Sequence, residues 1–471
     1  MVYPGGTFGP QPGGMVDTPK LLDRRYINRG TWVYLTGLLI RLGARIPLLF
    51  IAGRAYGPTL YGEFLIAAGL AETAAAIATL GFKRTLFTFM NEAGMNEAGM
   101  NEAGTRDAEE NQVGMAVRHA LVIGLGLACL LSAVLMALAP VLAPLFGAPE
   151  AVGKIAVFAW VTPVIVVMDI LLTATFFNRR LRYDVWARCV ALPGTQTIVA
   201  GAFFMIGLTQ VGLLASYAAA LVAACLTALW GYGEQFGLKS LWGRIEFARA
   251  AEMTRRSAST GAFDILSMVM ARIDMFVVGH FFSAEGVGLY GMAQQFLTLP
   301  DQIGKSFAPV VMPVLSESLH AGDLKRARSA LGAMIPRQAA LEGVLCVAFI
   351  VAGTFLLTFF GGNQFAAAAP VLAILAAGVL VNDILSIAGL PLVVARPMVN
   401  PGAGLVSLAA YLAAVAAVES AYGIEGIAVI SVLAALIGNL WRLQAAYRVL
   451  FPDTPVAAPP ASKGVVKSAA E

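Results

Sequence analysis

Between Ser257 and Glu317 two long apolar segments flank a single short turn, Ser283-Ala284-Glu285-Gly286. Each segment is long enough to cross a bilayer, which takes about 20 residues. Each also carries charge where charge is expensive. The first holds Asp264, Arg272 and Asp274; the second holds Asp301 and Lys305. Ionisable residues inside a membrane usually face a bundle interior or a water-filled cavity. A chain built around such a hairpin is constrained to bundle its helices around polar ground.

The second segment makes the point in detail. At about 100° per residue, Gln294, Thr298, Asp301, Gln302 and Lys305 share roughly a third of the helix circumference. The rest of the circumference is Phe, Leu, Met, Val and Ala. The helix has one wet stripe and one lipid or packing face. Asp301 and Lys305 stand four apart and can also neutralise each other.

Composition extends this to the whole chain. Hydrophobic residues make up 58% and charged residues 13%, and mean hydropathy is +0.76. A soluble domain is about 25% charged, so the class is polytopic and all-α. The net charge of +4 comes from basic residues in membrane loops and implies no nucleic acid. The four cysteines, Cys129, Cys189, Cys225 and Cys346, lie in or beside apolar runs without metal or disulfide spacing. None of His119, His280 and His320 has a second ligand at helical spacing. The sequence implies no metal, no cofactor and no catalytic motif, and hence no enzyme.

The Gly/Pro-rich start lacks an apolar signal core, so residues 1–30 read as a flexible tail. Apolar spans are expected at about 31–54, 62–82, 115–139, 151–177, 189–209 and 211–232. Residues 233–256 form a polar linker. Six more spans follow at about 257–281, 286–318, 334–359, 365–395, 400–421 and 424–446. This sets a six-helix bundle at 31–232, a second at 257–451 and a disordered tail at 452–471. Within the first, residues 90–104 are three tandem copies of Met-Asn-Glu-Ala-Gly. They read as a solvated spacer, or a helical extension of the second span, in a low-complexity loop at 90–111.

The positive-inside rule orients the spans. With a cytoplasmic N-terminus, 26 Lys and Arg fall on the cytoplasmic side, Arg54 and Lys154 fall opposite, and four lie within spans. Both termini are therefore expected in the cytoplasm. A weak repeat accompanies the even count: Gly53 and Gly62 recur as Gly279 and Gly288, at an offset of 226 residues. Six spans per half predicts two bundles in parallel repeat around a central cavity, with substrate bound between them.

Three features together resemble a known family. They are the basic N-terminal arm, Tyr56-Gly57-Pro58-x-x-Tyr61-Gly62, and Arg272-x-Asp274-x-Phe276-x-x-Gly279 leading to Gly288-x-Tyr290. In this the chain is similar to the Wzx-type flippases of the multidrug/oligosaccharidyl-lipid/polysaccharide exporter superfamily, over about residues 20–450. The resemblance implies twelve to fourteen helices and alternating access in the bacterial inner membrane. It also implies transfer of an undecaprenyl-diphosphate-linked oligosaccharide to the periplasmic leaflet, for exopolysaccharide or lipopolysaccharide synthesis. Membrane lipid, glycosyltransferases and a polysaccharide polymerase are the partners it implies.

A diphosphate calls for cations, and arginine offers it a planar fork. Arg41, Arg45, Arg272 and Lys305, with Gln294 and Gln302, are the candidate cargo contacts. The competing reading pairs these cations structurally with Glu72, Asp264, Asp274 and Asp301. Asp169, Asp264, Asp274, Asp301 and Asp383 are candidate ion or proton sites; a packed, hydrogen-bonded role competes for each. Arg54 reads as an interfacial residue. A multidrug or organic-cation antiporter of the same superfamily is the alternative function. It would favour a carboxylate-rich cavity. A membrane-embedded polymerase or ligase fits less well, because the outer loops are short.

Overall fold

The computed structural model describes residues 43, 46–98, 106–177, 182–396, 398–418 and 423–451. Within these the regular structure is all helix, and nine helical stretches are long and apolar enough to cross a membrane. It is a polytopic all-α membrane protein. The reason is elementary: hydrocarbon offers backbone amides no partners, so a spanning segment must satisfy its own.

Two of the nine stretches are too long for one crossing. Thr260–His320 has 61 residues, or roughly 90 Å at 1.5 Å per residue, three times the hydrocarbon thickness. It breaks at Ser283, where φ is 79° and ψ 172°. This is the expected turn. Ile46–Met90 breaks at Gly57 (φ 76°) and again at Leu80 and Gly81. These breaks, and the shorter Leu192–Met205 helix, fall between or within expected spans; most of the first expected span, at 31–54, lies outside the described residues.

In chain order the helices are α1 (46–56), α2 (Gly57–Ala78), α3 (Phe82–Ala98), α4 (Arg106–Leu145), α5 (Pro149–Thr175), α6 (182–205) and α7 (Thr209–Phe236). Then come α8 (247–282), α9 (284–306), α10 (Ala308–His320), α11 (Leu324–Gly361), α12 (Asn363–Ala388), α13 (Pro391–Ala395), α14 (Val399–Val418) and α15 (Gly423–Leu450). The pentapeptide repeat reads as a solvated spacer or a helical extension, and α3 carries helix through its first copy and on to Ala98; residues 99–104, the rest of the repeat, lie outside the described residues. The expected second span is split from α3 by the reversal at Gly81.

Two compact units are present. The first comprises residues up to Phe296 with Ala352–Leu372 and Glu419–Ala428; the second comprises Leu297–Val351, Ala373–Val418 and Val429 onward. In the first, α4 presents Val122, Leu130 and Val141 outward, which hydrocarbon accommodates and water would not. Its inner faces are small: Ala71, Ala75, Ala78 and Ala120 are fully buried or nearly so. Such residues let helix backbones approach. At the end of α4, Gly147 (φ 67°) accepts a hydrogen bond from Ala284 N at 3.0 Å. A Cβ there would stand 2.2 Å from Gly279 O, so only glycine fits beside the hairpin turn. The second unit is cored by Val311, Leu315, Leu331, Ile387 and Leu450.

Candidate functional site

In the first unit, besides the Glu63–Lys154 pair at 2.5 Å, the membrane-depth charges form two networks. The first centres on Glu72 of α2. Arg272 Nη2 of α8 donates to Glu72 Oε2, and Tyr217 Oη of α7 donates to Glu72 Oε1 at 2.6 Å. Three helices are tied by one carboxylate. Phe64 meets the Tyr217 ring edge-on at 5.6 Å, which fixes the phenol. The arginine is not consumed by the pair. Its side chain keeps 25% exposure, and Nη1 has the Met275 thioether at 3.6 Å. Two residues on, Asp274 is buried and accepts from Tyr290 Oη at 3.0 Å.

The second network lies at the Gly81 end of α2. Asp169 of α5 is buried and holds two cations at once: Lys83 Nζ at 2.6 Å and Arg188 Nη2 at 2.7 Å. Arg188 Nε also donates to Asp184 at 2.8 Å, one turn back on α6. Next to Lys83 in sequence, Arg84 Nε lies 2.8 Å from Asp264 Oδ1 of α8. The carboxylates are buried or nearly so. The cations Lys83, Arg84 and Arg188 are each about 40% exposed. The charged ends of half-exposed cations are thus held by buried or nearly buried carboxylates, the pairing expected of an ionisable residue within a span.

In the second unit Lys305 Nζ lies 2.6 Å from Asp301 Oδ1, the i,i+4 pair on α9. Asp383 of α12 sits beside Glu342 and Gln338 of α11, with the three side chains converging on Gly304. Asn382 Oδ1 accepts from Asn439 Nδ2 at 3.0 Å, and Arg442 Nη1 donates to Asn439 Oδ1 at 3.2 Å.

Among the cargo candidates, then, Arg272 and Lys305 each carry one carboxylate partner and remain partly or largely exposed. Gln294 and Gln302 are partly buried. Arg41 and Arg45 lie outside the described residues. Asp264 pairs with Arg84, not with one of the four cations expected inside spans. Arg54 Nε donates to Phe359 O at 3.0 Å, and its guanidinium lies 5.0 Å from the Phe50 ring centroid.

Sequence reasoning passed over Lys83, Arg84, Arg188, Tyr217 and Glu342. The first three were counted as loop cations, because hydropathy weighs one charge at a time. A signal did exist: Asp169, deep in an apolar span, requires a counter-charge from somewhere. Glu342 was legible too, as an acid four residues after Gln338 inside the 334–359 span.

Comparison with known proteins follows the same line. The family model described as "Polysaccharide biosynthesis protein" matches residues 74–370, well over half of the chain. No curated protein sequence matches it. Among solved structures, an inward-facing multidrug resistance MATE family transporter of the MOP superfamily superposes with a TM-score of 0.69 at 14% identity. That match covers 88% of this chain and 100% of the other. The lipid II flippase MurJ, in an inward closed conformation, gives 0.59 at 14% identity, covering 87% and 86%. The Vibrio cholerae MATE transporter VcmN gives 0.56 at 15% identity, covering 90% and 95%. At such identities the likeness establishes a shared fold.

Proposed function

The chain belongs to the polysaccharide biosynthesis protein family, and from that premise we propose that it is a lipid-linked oligosaccharide flippase. It moves an undecaprenyl-diphosphate-linked repeat unit from the cytoplasmic to the periplasmic leaflet of the bacterial inner membrane by alternating access between two six-helix bundles. Both termini are cytoplasmic. The cargo comes from membrane glycosyltransferases and passes to a polysaccharide polymerase. The shared fold with a lipid II flippase supports a lipid-linked cargo over a free sugar.

The observation that carries the reading to particular residues is Arg272. It is a span-embedded guanidinium with one edge on Glu72 and its side chain one-quarter exposed. Two oxygens of a phosphate group can accept the guanidinium fork, as the two oxygens of a carboxylate do. In this proposal Arg272 exchanges Glu72 for the cargo diphosphate, and Tyr217 then keeps Glu72 hydrogen-bonded. Arg41, Arg45, Lys305, Gln294 and Gln302 are the further contacts. An inside-negative potential drives negative charge outward, by about 2.3 kcal/mol per charge per 100 mV. The protein therefore need only replace the hydration of the headgroup.

Polymer export measured alongside membrane protein level tests this. Arg272→Lys keeps charge but loses the fork, and should impair export in part. Arg272→Ala should abolish it, well beyond any loss of membrane protein. Export that is normal, or that falls only in proportion to protein, would remove Arg272 from the cargo path. An organic cation as the transported species instead would overturn the reading as a whole.

A further inference from the structure

In the second unit, α9 lacks a side chain at Gly304, and three polar groups fill the space. A Cβ at that position would lie 2.7 Å from Asp383 Oδ2, 2.9 Å from Glu342 Oε2 and 3.1 Å from Gln338 Nε2. Gln338 and Glu342 are one turn apart on α11, and both are fully buried. Gln338 Nε2 donates to Glu342 Oε2 at 3.0 Å. After that bond, Glu342 Oε1, Asp383 Oδ2 and Gln338 Oε1 remain buried without a hydrogen-bond partner among the described residues.

The charges around them do not supply one. On α9, Lys305 is bound to Asp301 and its side chain is 63% exposed. On α11 the neighbouring ionisable group is the Cys346 thiol. On α12 and α15, Asn382, Asn439 and Arg442 bond among themselves. Two carboxyl groups thus face each other in a low-dielectric site with no cation bonded to either among the described residues. Burying one unpaired carboxylate already costs several kcal/mol, and two like charges at this separation cannot both ionise. One proton relieves both problems. It cancels a charge and supplies the donor that the orphaned oxygens lack.

We infer that Glu342 and Asp383, seated on Gly304 and backed by Gln338, form a proton-binding site within the membrane span. The ligand is a proton shared by the two carboxyl groups. If the flippase reading holds, release and uptake of that proton is a coupling step for cargo movement; the binding site itself does not depend on that reading.

Infrared difference spectroscopy on the full chain in lipid nanodiscs tests the site directly. Wild type minus Glu342→Gln/Asp383→Asn should contain a protonated-carboxyl C=O band at neutral pH that shifts in heavy water. In Glu342→Gln, relief of the like charge should move the loss of the Asp383 band to lower pH. Absence of the band in wild type overturns the proposal. So does removal of the band at constant pH by sodium chloride but not by choline chloride, because the site would then hold a metal cation. Both amide substitutions are isosteric, and thermal unfolding confirms folded protein. Loss of polymer export in Asp383→Asn, with protein level unchanged, would add the coupling role. Normal export with the band present would remove the coupling role and leave the proton site standing.

Discussion

Gly62 and Gly288 meet backbone to backbone. A Cβ on Gly62 would stand 1.7 Å from Ala284 O and 2.9 Å from Gly288 N, and a Cβ on Gly288 would stand 2.0 Å from Pro58 O. Neither gap can be opened by turning a side chain, since the obstructing atoms are main chain. Gly62→Ala or Gly288→Ala must therefore push α2 and α9 apart. Overpacking of this kind costs about 1–3 kcal/mol, so each variant should unfold several degrees below wild type in detergent. Gly126→Ala is the control, because nothing lies within 4 Å of its Cβ position. Equal melting temperatures for all three variants would show that the close approach is not required.

The Glu72–Arg272 pair yields a double-substitution test. Arg272→Gln leaves Glu72 partly buried with Tyr217 as its hydrogen-bond donor, and should lower membrane abundance. Adding Glu72→Gln removes the stranded charge and should restore abundance. Breaking a buried pair from one side costs about 3–5 kcal/mol in fully buried cases, whereas removing both partners is often neutral. The residual exposure here places the effect below that range. Export should stay absent in the double variant if Arg272 serves cargo. Recovery of export together with abundance would make the pair purely structural.

The class of the chain was plain from hydropathy, and so were its breaks. The turn at Ser283 and the reversal at Gly57 fall where glycine, proline and short polar runs interrupt apolar runs. Partnership was less legible. That Asp301 would take Lys305 follows from a spacing of four. That Glu72 would take Arg272 does not, because 200 residues separate them and only packing brings α2 to α8. The close approach of Gly62 to Gly288 likewise depends on packing, although the pair shares its 226-residue offset with Gly53 and Gly279. Asp383 is legible in the sequence as a candidate ion or proton site. Its neighbour Glu342 gives it chemistry, and that contact depends on the missing side chain at Gly304.

Asp169 sets a contrast between removing an anion and removing its cations. Asp169→Asn leaves Lys83 and Arg188 about 40% exposed, free to turn their charged ends to water. Lys83→Met/Arg188→Met instead leaves a buried carboxylate uncompensated, which costs several kcal/mol. The cation double variant should therefore lose more thermal stability and more membrane abundance than Asp169→Asn. Melting or abundance data in which the asparagine variant is the less stable would mean that the cations are anchored by Asp169 more than they are solvated.

Glu92 ties the start of the pentapeptide repeat to α8. Arg256 Nη1 and Nη2 donate to its two oxygens at 2.8 and 2.5 Å, and the Arg256 guanidinium lies 4.9 Å from the Phe89 ring centroid. These hydrogen bonds hold the Glu92 carboxyl below its usual range, against a smaller opposing effect of partial burial. A depressed carboxylate contributes stability above its unfolded pKa, near 4.5, and loses it as pH falls through the folded value. The pair is about 40% exposed, and exposed pairs contribute at most about 1 kcal/mol. Glu92→Gln should thus lower the melting temperature slightly at neutral pH, and the two proteins should converge as the medium is acidified through the depressed folded value, below 4.5. Deleting residues 95–104 begins beyond Glu92 and leaves the pair in place. That deletion should preserve both melting temperature and polymer export. Lost export at a normal membrane level would assign the remaining repeats a role beyond spacing, and a melting loss as large as that of Gly62→Ala would make them part of the packed fold.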